Sequence, residues 1–90
     1  MDAKVNDVVQ SLAGHDRGKL YLVKAVQGNR LQLTDGRLRR QDHLKSKSPK
    51  HVRTVGHCDA VPQTDREIRK TLTLAASTAA AKEDKYLGES

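Results

Sequence analysis

Aromatic residues are nearly missing from this chain. It has two Tyr, no Phe and no Trp among 90 residues. A core built on rings is therefore excluded, and a stacking platform for single-stranded nucleic acid finds little support. There is one cysteine, Cys58, so no intrachain disulfide can form. No apolar run approaches the ~20 residues of a membrane span. The opening Met1-Asp2-Ala3-Lys4-Val5 lacks the apolar stretch of a signal peptide. A reducing cytoplasm is the expected setting, without membrane contact.

Apolar residues are also scarce, at 36% against 31% charged. A domain of this size buries only roughly 60% of its unfolded surface. The core must be small and built from Val, Leu and Ala. Such a chain has little material for a deep, dry pocket. It shows no Ser-His-Asp pattern, no phosphate-loop lysine motif and no persuasive carboxylate pair. An enzyme, a cofactor and a small-molecule substrate are not expected. His43, His51, His57 and Cys58 are spaced by eight, six and one. Structural zinc calls for paired ligands two to five residues apart, so no metal is expected either.

Positive charge is what the chain has in excess. Residues 1–58 carry 12 basic and 5 acidic side chains, net +7, and residues 59–90 carry 5 and 6, net −1. The positive field belongs to the first two-thirds. Nucleic acid is the commonest polyanionic partner of such a field.

Apolar residues open at Val5, Val8 and Val9 and reach Ala13. Leu20 to Val26 is dense in β-formers and reads as a strand. Gln27-Gly28-Asn29-Arg30 reads as a turn. Leu31-Gln32-Leu33 alternates as a half-buried strand should. Asp35-Gly36 is a strong hairpin signal, because a type I′ turn needs φ > 0 at both central positions. It predicts a fourth strand over Arg37–Arg40. Residues 41–50 read as a polar, basic loop, and His51 to Val55 as a last strand closed by Gly56. About five short strands with tight turns predict a mainly β fold, a small antiparallel barrel, over residues 1–58. Beyond Pro62, Thr64 and Glu67 form a capping box, in which each side chain satisfies a free backbone donor at a helix start. Ile68, Leu72, Ala75 and Ala79 then share one helical face. A C-terminal helix is predicted from about 65 to 82, after a linker from residue 59, with 83–90 as a disordered tail.

Two stretches are candidates for function. The first is Gly14-His15-Asp16-Arg17-Gly18-Lys19, which separates two strand-like segments. Successive backbone N–H groups in such a turn can form an anion-binding concavity. Arg17 and Lys19 add charge and His15 a hydrogen bond. A purely structural turn would use the same glycines, and Asp16 would suit it by accepting a backbone N–H. The second stretch is Arg37, Arg39, Arg40, Lys45, Lys47, Lys50 and Arg53, seven basic residues in seventeen positions opposed only by Asp42. It reads either as a solvated loop or as a set of phosphate contacts, which bind by counterion release and carry little sequence information.

The pattern Val9-x4-Gly14-x3-Gly18-x4-Val23 resembles the KOW motif of ribosomal proteins and transcription elongation factors. Its "AGHDRGK" is similar to the Ala-Gly-basic-Asp-basic-Gly-Lys core of the ribosomal members, with Gly18 at the family's required glycine. "LTDGRLRR" and "SPKHV" resemble short bacterial KOW-domain RNA-binding proteins, which are in turn similar to certain large-subunit ribosomal proteins of archaea and eukaryotes. The resemblance spans residues 5–55. It implies an SH3-like barrel whose loop touches RNA, ribosomal RNA above all, or a protein of the translation or transcription machinery. A further glycine is common three residues after the required one, and here that place is Tyr21. Tyr21 would either fill the barrel or stack on a base.

Overall fold

The segment LYLVKAVQ has no clean polar–apolar alternation, and the fold explains why. A computed structural model describes residues 3–89, with the side chains of the C-terminal helix described as far as residue 77. Five strands, β1 (Asp7–Ser11), β2 (Leu20–Gln27), β3 (Arg30–Thr34), β4 (Lys45–Lys47) and β5 (Val52–His57), precede one helix, α1 (Asp65–Glu89). All ladders are antiparallel, in the order β4-β3-β2-β1-β5. The mainly β fold with a C-terminal helix is as the sequence predicts.

β2 is apolar on both sides because both faces of the sheet are covered. Val9, Tyr21, Val23, Leu31, Leu33 and Val52 form an inner cluster with Ala3. Val8 and Leu22, on the opposite face, are buried under Ile68 and Leu72 of α1. Tyr21 is 2% exposed and belongs to the inner core, where no base can stack on it.

The sheet must curl. In a flat sheet β4 and β5 would lie about four strand spacings apart, roughly 19 Å. The connection between them is Ser48 to His51, and Pro49–His51 is a 3₁₀ turn. Five Cα steps containing such a turn reach only about 13 Å. Two bulges supply the bend, one opposite Val8/Val9 in the β1–β5 ladder and one at Val23/Ala25 in the β2–β3 ladder. β4 and β5 remain the sheet's two edges. The barrel is therefore small, SH3-like in plan and not closed by a ladder between them.

Two predicted elements differ. Arg37–Arg40 is not a strand, and Asp35-Gly36 is not a type I′ hairpin, since Gly36 (φ +72°) has positive φ and Asp35 does not. The Asp35 carboxylate takes over the turn, with Oδ1 accepting the N–H groups of Arg37 and Arg39, both at 2.8 Å. The fourth strand lies instead within the predicted loop. Lys45 and Lys47 pair with Leu33 and Leu31, so they occupy the inward-facing register where alternation calls for apolar residues. That inversion hid β4 in the sequence.

α1 begins where the capping box places it. Thr64 Oγ1 accepts the Glu67 N–H at 3.1 Å, while the Glu67 carboxylate accepts the N–H of Gln63 at 2.9 Å. Ile68 and Leu72 are buried and Ala75 is partly so, whereas the Ala79 side chain lies outside the described residues. The trace continues to Glu89, past the expected end near 82 and through residues read as a tail. Ala, Lys and Glu there are good helix formers.

The helix start rests on Gly36. A Cβ at Gly36 would run into the Asp65 carbonyl oxygen and the Arg69 side chain. Gly18 (φ +89°) has the same left-handed backbone but opens to empty space. Gly18→Ala should cost only the left-handed penalty, about 1–2 kcal/mol. Gly36→Ala should cost roughly 3 kcal/mol or more, because a backbone clash is added. Urea unfolding of both variants measures this. Equal losses would mean that α1 is not seated on Gly36.

Candidate nucleic-acid interface

The 12–19 loop is organised by one carboxylate. Asp16 lies between β1 and β2 with its side chain about one-tenth exposed. Its Oδ1 accepts from Ser11 Oγ and from Lys47 Nζ, both at 2.9 Å. Its Oδ2 accepts from Tyr21 Oη at 2.8 Å and pairs with Lys45 Nζ at 2.8 Å. Lys47 Nζ also donates to the Ala13 carbonyl at 2.9 Å. Burial by itself would raise the Asp16 carboxyl. The hydrogen bonds from Lys45, Lys47, Tyr21 and Ser11 overcome it and hold the group well below the usual carboxylate range. Tyr21 moves the other way, pushed up by burial and then by its bond to Asp16. In place of the backbone N–H expected of a turn aspartate, Asp16 gathers four side chains.

Three of the loop's own N–H groups are spent. Arg17, Gly18 and Lys19 donate to the carbonyls of Gly14, Ser11 and Asp16 at 3.3, 2.8 and 2.9 Å. These three close the turn on itself and are not available to an anion, so a concavity of N–H groups here is limited to Gly14, His15 and Asp16. What the loop offers outward is side-chain charge on a fixed frame.

A second buried carboxylate ties this loop to the next. Asp35 is 4% exposed, and Lys19 Nζ meets its Oδ2 at 2.5 Å. Burial again acts to raise this carboxyl, and Lys19 with the N–H groups of Arg37 and Arg39 brings it below its ordinary value. The Lys19 ammonium also stands 5.4 Å from the Tyr21 ring centre. The 14–19 and 35–41 loops thus lie side by side.

The predicted basic residues separate into two groups. His15, Arg17, Arg37, Arg40, Lys50 and Arg53 are exposed. Arg53 Nε donates to Gln10 Oε1 at 2.9 Å, and Gln10 Nε2 donates to the Gly18 carbonyl at 3.2 Å. This chain brings Arg53 beside Gly18. Lys50 sits on the 3₁₀ turn, whose His51 carbonyl accepts the Leu12 N–H at 2.8 Å. The second group is engaged within the fold. Lys47 is 8% exposed, Lys45 is held by the same carboxylate, and Lys19 is held by Asp35. Gly14 borders the Asp16–Lys47 pair. Arg39 is half-buried, and its carbonyl closes the turn by accepting from Thr34 Oγ1 at 2.6 Å.

Two contributors escaped the sequence reading. Arg69 of α1 donates to the Gly36 carbonyl at 2.6 Å and faces the same region as Lys19 and Arg37. Its position next to Ile68 in the predicted helix placed it at the border of the docked face, which was the available signal. Gln10 had no signal, because its role depends on the register with β5. Cys58 packs at the edge of the outer cluster, and burial followed by Asp59 and Asp7 pushes its thiol up. His57 Nδ1 lies 2.6 Å from Asp7 Oδ1. Among the described residues, no cluster of His, Cys, Asp or Glu is arranged to hold a metal ion. No helix among them is long and apolar enough to cross a membrane. Compared with known proteins, the chain matches no family model and no curated protein.

Asp16→Asn removes the charge that Lys45 and Lys47 answer. The loss should be about 2–4 kcal/mol, somewhat below a fully buried pair because Lys45 is partly solvated. The folded carboxyl lies below its unfolded value, so its stabilisation is full above about pH 5 and is lost as pH falls through about 4 and lower. Asp35 acts in the same direction. Thermal melts from pH 7 to 2 should therefore decline steeply for the wild type and less for Asp16→Asn. Parallel curves would remove Asp16 from the acid response.

Proposed function

We propose that this chain is a KOW-like RNA-binding module that works by association and catalyses nothing. Its partner is a folded RNA backbone, with ribosomal RNA the first candidate. The observation that carries the reading is the Lys19–Asp35 ion pair at 2.5 Å. It fixes two loops side by side, and exposed Arg17, Arg37 and Arg40 project from them. Arginine suits this task, because its planar fork binds phosphate oxygens two at a time. Arg53, held beside Gly18 through Gln10, extends the same field. The contacts would fall on phosphates and 2′-hydroxyls, which read RNA shape more than sequence.

Fixed protein charge predicts a salt dependence. Arg17, Arg37, Arg40 and Lys50 have no internal side-chain partner among the described residues. Four neutralised phosphates give a slope of log affinity against log salt of about −3 on single strands, and about −3.5 at duplex charge density. Each of Arg17→Ala, Arg37→Ala and Arg40→Ala should flatten the slope by roughly 0.7–1. Lys47→Met should lower stability and leave the slope alone, since that ammonium already serves Asp16. Fluorescence titration of a structured RNA across salt concentrations checks all four. A flat response in the wild type overturns the reading.

A protein-docking adaptor is the second reading. Leu38 favours it, standing 79% exposed at the tip of the 35–41 loop. Nuclease treatment during purification separates the two. An RNA binder loses co-purifying nucleic acid and its 260/280 ratio falls, whereas an adaptor keeps its partner.

A further inference from the structure

Between the two loops and α1 lies a cleft of about 280 Å³. Leu20 and Leu72 form its apolar wall, and exposed Ala76 lines it from the helix. Lys19, Arg37 and Arg69 stand around it. Asp35 also lines the cleft, but its charge is answered by Lys19 and its Oδ1 by two backbone N–H groups. Arg69 donates to a neutral carbonyl, so its charge is not cancelled. Three cations and one anion leave the cleft at +2. This lining favours a ligand that is anionic at one end and flat or apolar at the other. Ligand sites generally span about 300–1,000 Å³, so this volume suits one small unit and no more.

We propose that this cleft takes a single nucleoside monophosphate unit. Its phosphate lies against Arg37 and Arg69, and its base or ribose lies against Leu20, Leu72 and Ala76. The source is an unpaired nucleotide of the bound RNA, which rests on the RNA-binding reading; a free mononucleotide presents the same chemistry. α1 then takes part in recognition as well as covering the sheet. Without the helix there is no Arg69 and no second wall.

The test uses the full chain, with adenosine monophosphate, adenosine and inorganic phosphate as probes. Amide chemical shifts are followed by NMR during titration. The monophosphate should move the signals of Gly18, Gly36, Thr73 and Ala76, and should bind at least tenfold more tightly than adenosine or phosphate. Ala76→Phe, which fills the cleft from an exposed helical position, should weaken the monophosphate tenfold or more with an unchanged circular dichroism spectrum. Arg37→Ala should weaken the monophosphate and leave adenosine unchanged. Equal binding of monophosphate and phosphate, or no effect of Ala76→Phe, overturns the proposal. The two readings fail separately. RNA binding that Ala76→Phe does not weaken, with no response to the monophosphate, overturns the cleft and spares the RNA reading. A monophosphate response in a protein that binds no RNA supports the cleft and overturns the RNA reading.

Discussion

A carboxylate taken out of water must be answered, and the Asp16 carboxylate sets the terms for much of this structure. It collects a hydroxyl from the end of β1, a phenol from β2 and two ammonium groups from β4. β4 has only Lys-Ser-Lys and no apolar side chain with which to join a core. Its two lysines lay their stems along the inward register and bring their heads to Asp16. An edge strand is thereby placed by charge. Such buried pairs contribute modest net stability against an apolar replacement, yet removing one partner is costly. Their effect here is to select one arrangement of loop, strand and edge.

Asp35 repeats the solution on the neighbouring loop. It gathers two backbone N–H groups and the Lys19 ammonium, turning a sequence that looks like a hairpin into a tight bend. Together the two aspartates engage the ammonium groups of Lys19, Lys45 and Lys47, of which only Lys47 is buried. The cations left facing water in this region are chiefly arginines, Arg17, Arg37, Arg40 and Arg53. Lys19, Lys45 and Lys47 serve as point charges for the aspartates while Arg17, Arg37 and Arg40 stand outward as forks, a division that suits their different geometries. The count of basic residues therefore overstates the number available to a partner, and their identity says more than their sum.

The helix makes the sheet two-sided. A curled five-stranded sheet in so short a chain leaves Val8 and Leu22 uncovered on its convex face, and Ile68 and Leu72 cover them. The approach is close because Gly36 has no side chain, and Arg69 secures it by bonding to the Gly36 carbonyl. The segment whose composition sets it apart from the basic region thus supplies a cation to the basic surface.

Much of the fold was legible along the chain. The β-formers of Leu20–Val26, the Gly28–Asn29 turn and the Thr64–Glu67 cap all act locally, within a few residues, and sequence patterns record local effects. Tyr21 was legible only as a choice between core and surface, which its burial settles. The candidate site was half legible. Gly14, Gly18 and the exposed arginines announced themselves by type and spacing, but Lys45 and Lys47 carried the same signature while facing inward. A lysine looks alike in sequence whether its head meets water or a buried carboxylate thirty residues away.

By itself, then, the sequence determined a small mainly β domain, a capped helix after it, and a positive field over its first two-thirds. Strand propensity, side-chain capping and net charge are properties that neighbouring residues already hold. Only the tertiary structure decided which charges remain free, that Asp35-Gly36 bends and does not form a hairpin, and that Arg69 stands beside Lys19 and Arg37. Each of those depends on partners distant in the chain, brought within hydrogen-bonding reach when the sheet curls and the helix settles on Gly36.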